Sequence, residues 1–423
     1  MNLLKKKDPY QVYIYTCFLS QLFFTFVFTV NLLYQVEMVQ LDPLQLVLVG
    51  TVLEATVFIF EIPTGILSDL KSRKLSVIIG FFLIGIGFII EGMFPVFTAV
   101  ILSQIIWGIG YTFTSGSHQA WIADEIGEER AASAFVKGAK AGNFGKVLGI
   151  PLSMLAGYYI LNLPIILGGI GLVVLALLLA FFMKEENFKP AEKVERVSVW
   201  KNIKENMSQI LYYSRVHSLM RILFLIALFF GLYSEGFDRL WIPHFIEQSG
   251  LSNLSDSQLV LLMGGVQFIV VLLAFAALHF IDNSSIHQRL NHIYLALFIG
   301  SILIITSLIG FAFTTFAIGL LVFYVVIQIS RSIMYPLETV WLNKIIPDSS
   351  TRATFFSVKG QVDAIGQIGG GPIIGVIASN FTIKIAILVS AIILMPVLFL
   401  YNHIMRKNRG SGIKRVPFSY HKH

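Results

Sequence analysis

The stretch Ile62-Pro63-Thr64-Gly65-Ile66-Leu67-Ser68-Asp69-Leu70-Lys71-Ser72-Arg73-Lys74-Leu75-Ser76-Val77-Ile78-Ile79-Gly80 places a short charged turn, Asp69 to Lys74, between two long apolar segments. Gly65 has no side chain, so a neighbouring backbone is expected to approach closely there. Asp69 falls near the C-terminal end of the preceding helix, where the dipole disfavours an anion. A cationic partner such as Arg73 is therefore expected to hold it.

The apolar flanks are typical of the whole chain. Apolar residues make up 56% of its 423 residues and charged ones 13%, and the mean hydropathy is +0.77. That is far from the balance of a soluble domain. A membrane helix needs about 20 apolar residues, and the sequence offers such segments at 10–36, 43–69, 74–92, 95–122, 131–160, 162–183, 217–246, 257–281, 288–311, 314–343, 352–379 and 382–405. The expected fold is all-α and integral to the membrane, with no room for a separate soluble domain. The single cysteine, Cys17, excludes a disulfide framework or a multi-cysteine metal site within one chain. There is no Gly-x-x-x-x-Gly-Lys-Ser/Thr phosphate loop and no His-Glu-x-x-His motif, so neither direct ATP drive nor an enzyme is expected, and no metal or cofactor.

Basic residues fall in alternate connections: Lys5 to Lys7, then Lys71, Arg73 and Lys74, then Arg130, the 184–216 stretch, Arg289, Lys344 with Arg352, and the tail from Arg406. The intervening connections are nearly free of them, Lys384 excepted. By the positive-inside rule both termini lie in the cytoplasm of a plasma-membrane protein. The first apolar run is too long for a signal-peptide core and lacks a small-residue cleavage site, so it reads as a retained helix. Topology accounts for the net charge of +7 without a nucleic-acid partner; the basic tail is free to touch anionic lipid.

The longest polar stretch divides the segments six and six: a bundle at 1–183, a linker at 184–216, a second bundle at 217–405 and a tail at 406–423. Parallel repeats leave weak internal similarity. Arg130-Ala-Ala-Ser-Ala-Phe-Val-Lys-Gly138 aligns with Arg352-Ala-Thr-Phe-Phe-Ser-Val-Lys-Gly360 at an offset of 222 residues, and His118-Gln-Ala-Trp121 with Glu338-Thr-Val-Trp341 at 220.

The spacing Gly65, Leu67, Asp69, Arg73, Lys74, Gly80 resembles the loop motif between the second and third helices of the major facilitator superfamily. The architecture is similar over the whole chain, although only 62–80 is specific at the motif level. The resemblance implies two pseudo-symmetric six-helix bundles enclosing a central site lined mostly by helices one, four, seven and ten. It also implies that the loop's aspartate and arginine form a charge cluster with an acid at the cytoplasmic end of helix four. Asp124 matches, which makes Gly65, Asp69, Arg73, Lys74 and Asp124 a candidate conformational latch. The fifth and eleventh segments carry Gly145, Gly149 and Pro151, and Gly371 and Pro372, residues that permit close packing and a bend. This resembles the glycine and proline motif of proton-coupled exporters, with Ile150 interposed before Pro151. Two departures stand out. The arginine many antiporters carry on helix four falls near Gln104, and the first helix has Asn31 where relatives carry a carboxylate.

Ionisable groups inside apolar helices are costly and mark a pathway by default. Glu61 lies roughly 12 Å and Glu54 roughly 22 Å from the basic edge of a layer about 30 Å thick, seven positions apart on one face. The seventh segment carries Glu235, Asp238 and Arg239, the tenth Arg331 and Glu338 on one face, and the eleventh Lys359 and Asp363 at i and i+4. Glu54, Glu61, Glu235, Asp238 and Asp363 are the candidate proton-coupling acids. Glu54 and Glu235 have no obvious local partner. Such an acid holds a proton in one state and releases it when the cavity opens to the other side. Asn31, His118, Arg331 and Glu338 are the candidate cavity residues. Simpler readings stand beside these: Asp238 and Arg239 at the water interface, Lys359 with Asp363 as an intrahelical pair, Glu61 acting conformationally beside Pro63, and His118 bonded to backbone.

The function expected is alternating-access transport of a small molecule, with protons as coupling ion and the chain acting as a monomer. Export of hydrophobic or drug-like compounds by antiport leads; uptake of a metabolite by symport, or a non-transporting receptor or scaffold on the same fold, are the alternatives. Aromatic residues are abundant enough to line a cavity for bulky compounds.

Overall fold

The computed structural model describes residues 8–190, 208, 212, 215, 218–251, 253–284, 286, 288–346 and 349–410. Among them every regular element is helical: α1 Pro9–Phe28, α2 Asn31–Glu37, α3 Pro43–Lys71, α4 Arg73–Met93, α5 Phe97–Thr114, α6 Ser117–Ile126, α7 Glu128–Tyr159, α8 Leu163–Phe182, α9 Ser218–Gln248, α10 Asp256–Asp282, α11 Leu290–Phe313, α12 Ala317–Ile345, α13 Ser349–Asn380, α14 Ile383–Leu394 and α15 Pro396–Gly410. Eleven spans are long and apolar enough to cross a membrane. The twelfth expected segment is α7, which has the length but carries Lys137, Lys140 and Lys146 on exposed positions.

Three expected segments are each built from two helices. The segment at 10–36 breaks between Phe28 and Asn31, where the Thr29 hydroxyl bonds back to the Thr25 carbonyl. That at 95–122 breaks at Gly116, whose φ of 73° suits a residue without a side chain. That at 382–405 breaks at Pro396, which lacks the N–H needed to continue α14. The helix starts follow local chemistry. Asp42 and Gln45 form a reciprocal capping box at α3, and the Ser72 hydroxyl accepts from Leu75 N to start α4.

By contact the chain divides into two compact units, Met1–Glu205 with Asn253–Phe268, and Asn206–Ser252 with Ile269–His423. Beyond residue 190 the polar stretch expected to link two bundles lies almost wholly outside the described residues, as does the tail from 411.

The two units share an internal pattern. In the first, a Cβ built at Gly145 or Gly149 would meet the carbonyl oxygens of Phe18 and Leu22 on α1; in the second, one at Gly366 or Gly370 would meet those of Leu228 and Leu232 on α9. The residues of each set keep the same spacing. Small residues thus let α7 lie against α1, and α13 against α9, backbone to backbone. Both α7 and α13 continue through their prolines, Pro151 and Pro372, the latter next to Gly371. At the ends of α2 and α9 the correspondence recurs: the Tyr34 hydroxyl donates to the Glu91 carbonyl (2.5 Å), and the His244 ring Nε2 lies 3.2 Å from the Phe311 carbonyl.

Candidate functional site

Within the second unit, α9, α12 and α13 enclose a cavity of about 400 Å³. Its wall combines Phe230, Tyr233 and Tyr335 with the charges of Arg331, Glu338, Lys359 and Asp363. Arg331 Nη1 lies 2.6 Å from Asp238 Oδ1, and its Nε donates to the Tyr233 hydroxyl at 2.8 Å. The guanidinium also stacks over the Tyr233 and Phe237 rings, 5.1 and 5.6 Å from their centroids. Its Nη2 is buried without a hydrogen-bond partner. Lys359 Nζ lies 2.6 Å from Glu338 Oε2, while the Tyr401 hydroxyl donates to Glu338 Oε1 at 3.3 Å. Asp363 accepts from the Gln367 amide at 2.9 Å.

Sequence spacing misassigned the partners here. Asp238, read beside Arg239 as a residue of the water interface, pairs with Arg331 on α12. Arg239 instead donates to Glu235 at 2.8 Å, so Glu235 does have a local partner, one turn along its own helix. Lys359 reaches across to Glu338 and leaves Asp363 to a neutral amide. Tyr401 and Gln367 joined the cluster unannounced, since nothing in their local sequence marks them.

In the first unit the charged turn is assembled. Arg73 Nη1 lies 2.6 Å from Asp124 Oδ2, and its Nη2 lies 3.6 Å from Asp69 Oδ1. Ser72 Oγ donates to Glu185 Oε2 at 2.5 Å, and the same carboxylate accepts the Lys74 backbone N–H at 2.8 Å. Glu185 was missed because it lies 111 to 113 positions away in the polar stretch. Gly65 corrects the expectation of close approach: a Cβ there would meet nothing within 4 Å. The tight backbone contacts of α4 lie further along, at Gly80 against α5 and Gly85 against α8.

The remaining candidates are scattered. Glu61 is exposed and Glu54 half-buried on α3. The His118 ring stacks on Tyr13, centroids 4.5 Å apart, with Nε2 buried and unbonded, contrary to the backbone hydrogen bond expected. Its repeat counterpart is Glu338 of the cavity. Asn31 is buried and donates at 2.8 Å to Glu91, an acid the sequence reading passed over.

The sequence profile of the Major Facilitator Superfamily matches residues 14–308. The chain is 29% identical over 387 residues to the uncharacterized MFS-type transporter YxaM of Bacillus subtilis, covering 88% of this chain and 90% of that protein. Among solved structures, the nucleoside transporter NupG superposes with a TM-score of 0.73 at 16% identity, over 95% of this chain and 100% of the other. A bacterial homolog of the human lysosomal transporter Spinster does so with 0.73 at 14%, over 95% and 98%. With a family match over most of its length and membrane-spanning helices throughout, the chain belongs to the Major Facilitator Superfamily of membrane transporters.

Proposed function

We propose that the protein is a proton-coupled antiporter that exports small drug-like molecules across the plasma membrane, and that the cavity of the second unit holds the charged or polar part of the substrate. The observation that carries this reading is the cavity wall itself: aromatic rings beside the Arg331–Asp238 and Lys359–Glu338 pairs. A volume of about 400 Å³ suits a small organic molecule. Rings supply apolar area, and Arg331 in the cavity wall supplies positive charge for an acceptor group on the substrate.

Protons enter the reading through the acids. Asp363 faces the cavity with only a neutral amide donating to it among the contacts described, which makes it the best placed of the candidate acids to exchange a proton with substrate binding. Asp238 and Glu235 are each paired with an arginine, Arg331 and Arg239. The Arg73–Asp124–Asp69 cluster is the latch of the first unit, and both termini face the cytoplasm, a reading that the distribution of basic residues supports.

Purified protein reconstituted in liposomes under a pH gradient, with proton movement recorded as cationic, neutral and anionic compounds are added, tests the proposal. Proton flux opposite in direction to the compound's own is the expected result. Flux of both in one direction makes the protein a symporter for uptake, and no coupled flux with any compound overturns the proton-coupled reading.

A further inference from the structure

A second polar centre lies in the first unit, apart from the cavity. Glu91, near the end of α4, is fully buried. Its Oε1 accepts from Asn31 Nδ2 and Gln35 Nε2, both at 2.8 Å, and its Oε2 from Ser103 Oγ at 3.0 Å and Gln104 Nε2 at 3.1 Å. These four side-chain donors are uncharged. A carboxylate in an apolar layer is costly and marks function by default.

The fold does not call for an acid here. In the second unit the places matching Asn31, Glu91 and Gln104 are filled by Trp241, Phe311 and Tyr324. Trp241 stacks on Tyr324 with centroids 3.9 Å apart, and Phe311 packs on Phe237 at 5.5 Å. The same side-chain-to-carbonyl contact recurs at this level in both, from Tyr34 to Glu91 and between His244 and Phe311. One unit fills this space with rings and the other with a carboxylate and amides.

The hydrogen bonding suits two charge states. Gln104 is fixed as a donor to Glu91, because Trp107 Nε1, which can only donate, bonds Gln104 Oε1 at 3.0 Å. Ser103 is reversible, since a hydroxyl donates to an ionised carboxylate and accepts from a protonated one. Gln35 Oε1 is buried with no partner and becomes a second acceptor if the amide turns over. Burial disfavours the charged form of an acid while donors favour it, and four donors with two reversible neighbours give this carboxyl hydrogen-bond partners in either state.

We propose that Glu91 is a proton-binding site of the first unit: its Oε2 takes up a proton that hydronium of the aqueous phase releases, leaving neutral water, the new O–H donates to Ser103 Oγ, and the Ser103 hydroxyl turns its own proton away. Among the contacts described, the groups bonded to Glu91 are Asn31, Tyr34 and Gln35 from α2 and Ser103 and Gln104 from α5, Tyr34 being titratable. Because two of the four donors sit on α2, beyond the break from α1, protonation loosens the hold of α4 on that short helix.

The test needs no substrate. Protein in lipid nanodiscs is titrated from mildly acidic to mildly alkaline pH while infrared difference spectra record the carbonyl stretch of a protonated carboxyl, and Trp107 emission is followed against a Trp107→Phe control. A titrating carboxyl band that disappears in Glu91→Gln, with a parallel change in Trp107 emission, is the expected result. Ser103→Ala serves as the second variant. It removes a donor to the ionised form and moves the midpoint of the same band to higher pH by about one unit. A wild-type band that does not titrate, or a titrating one unchanged in both variants, overturns the proposal.

Discussion

Lys359 and Glu338, on α13 and α12, form a 2.6 Å ion pair in the wall of the second unit's cavity, although Asp363 lies one helical turn from Lys359. Both side chains are largely withdrawn from solvent, at 21% and 12% exposure. Removing one member of a buried pair strands the other's charge and costs about 3–5 kcal/mol, while replacing both with apolar groups is often neutral. Lys359→Met is therefore expected to lower the melting temperature more than Lys359→Met with Glu338→Met, and both variants are expected to lose substrate transport. Equal melting temperatures for the single and double variants would mean that the pair carries no mutual stabilisation.

The charge cluster around Arg73, proposed as the latch, is asymmetric. Arg73 is 2.6 Å from Asp124 and 3.6 Å from Asp69, and Asp69 is 56% exposed against 28% for Asp124. Exposed ion pairs contribute roughly 0–1 kcal/mol, so neither substitution is expected to prevent insertion or folding. Asp124→Asn should slow transport more than Asp69→Asn, by several-fold in initial rates from equal amounts of protein in the membrane. If Asp69→Asn is the slower of the two, the shorter contact is not the one that matters to the cycle.

The glycines separate packing from function. A Cβ at Gly145 or Gly366 would run into a backbone carbonyl oxygen, which has no rotamer with which to move away. Overpacking of this kind typically costs about 1–3 kcal/mol, so Gly145→Ala and Gly366→Ala are each expected to lower the melting temperature. Gly65→Ala meets empty space within its unit and should leave stability unchanged to within about 0.5 kcal/mol. A thermal shift for Gly65→Ala as large as that for Gly145→Ala would contradict this packing.

How far the sequence could be read follows from the range of the forces involved. Helix limits were legible because the apolar layer sets a length, and 43–69 or 217–246 differ by only a few residues from Pro43–Lys71 and Ser218–Gln248. The charged turn was legible because Asp69 and Arg73 are one turn apart. Glu91, an acid inside the 74–92 segment, meets the criterion that marked Glu54 and Glu235 and was passed over, and its donors were not legible because Asn31, Gln35, Ser103 and Gln104 lie on two other helices. Partner choice in the cavity failed for the same reason: helical spacing shows which residues share a face, while the neighbouring helix decides which of them pair.

Orientation is open to direct labelling. Glu185, held by Ser72 and the Lys74 N–H, brings the segment after α8 to the same end of the first unit as the 69–74 turn. Lys189 is exposed on that segment, so Lys189→Cys presents a reactive thiol beside the basic turn. The native Cys17 is replaced by alanine in the same protein to remove background. A membrane-impermeant maleimide is expected to leave this cysteine unmodified in intact cells and to modify it fully in inverted vesicles, because the positive-inside rule favours a cytoplasmic place for Lys71, Arg73 and Lys74. Modification in intact cells places the 69–74 turn outside, and with it reverses the direction of every flux argued from the topology.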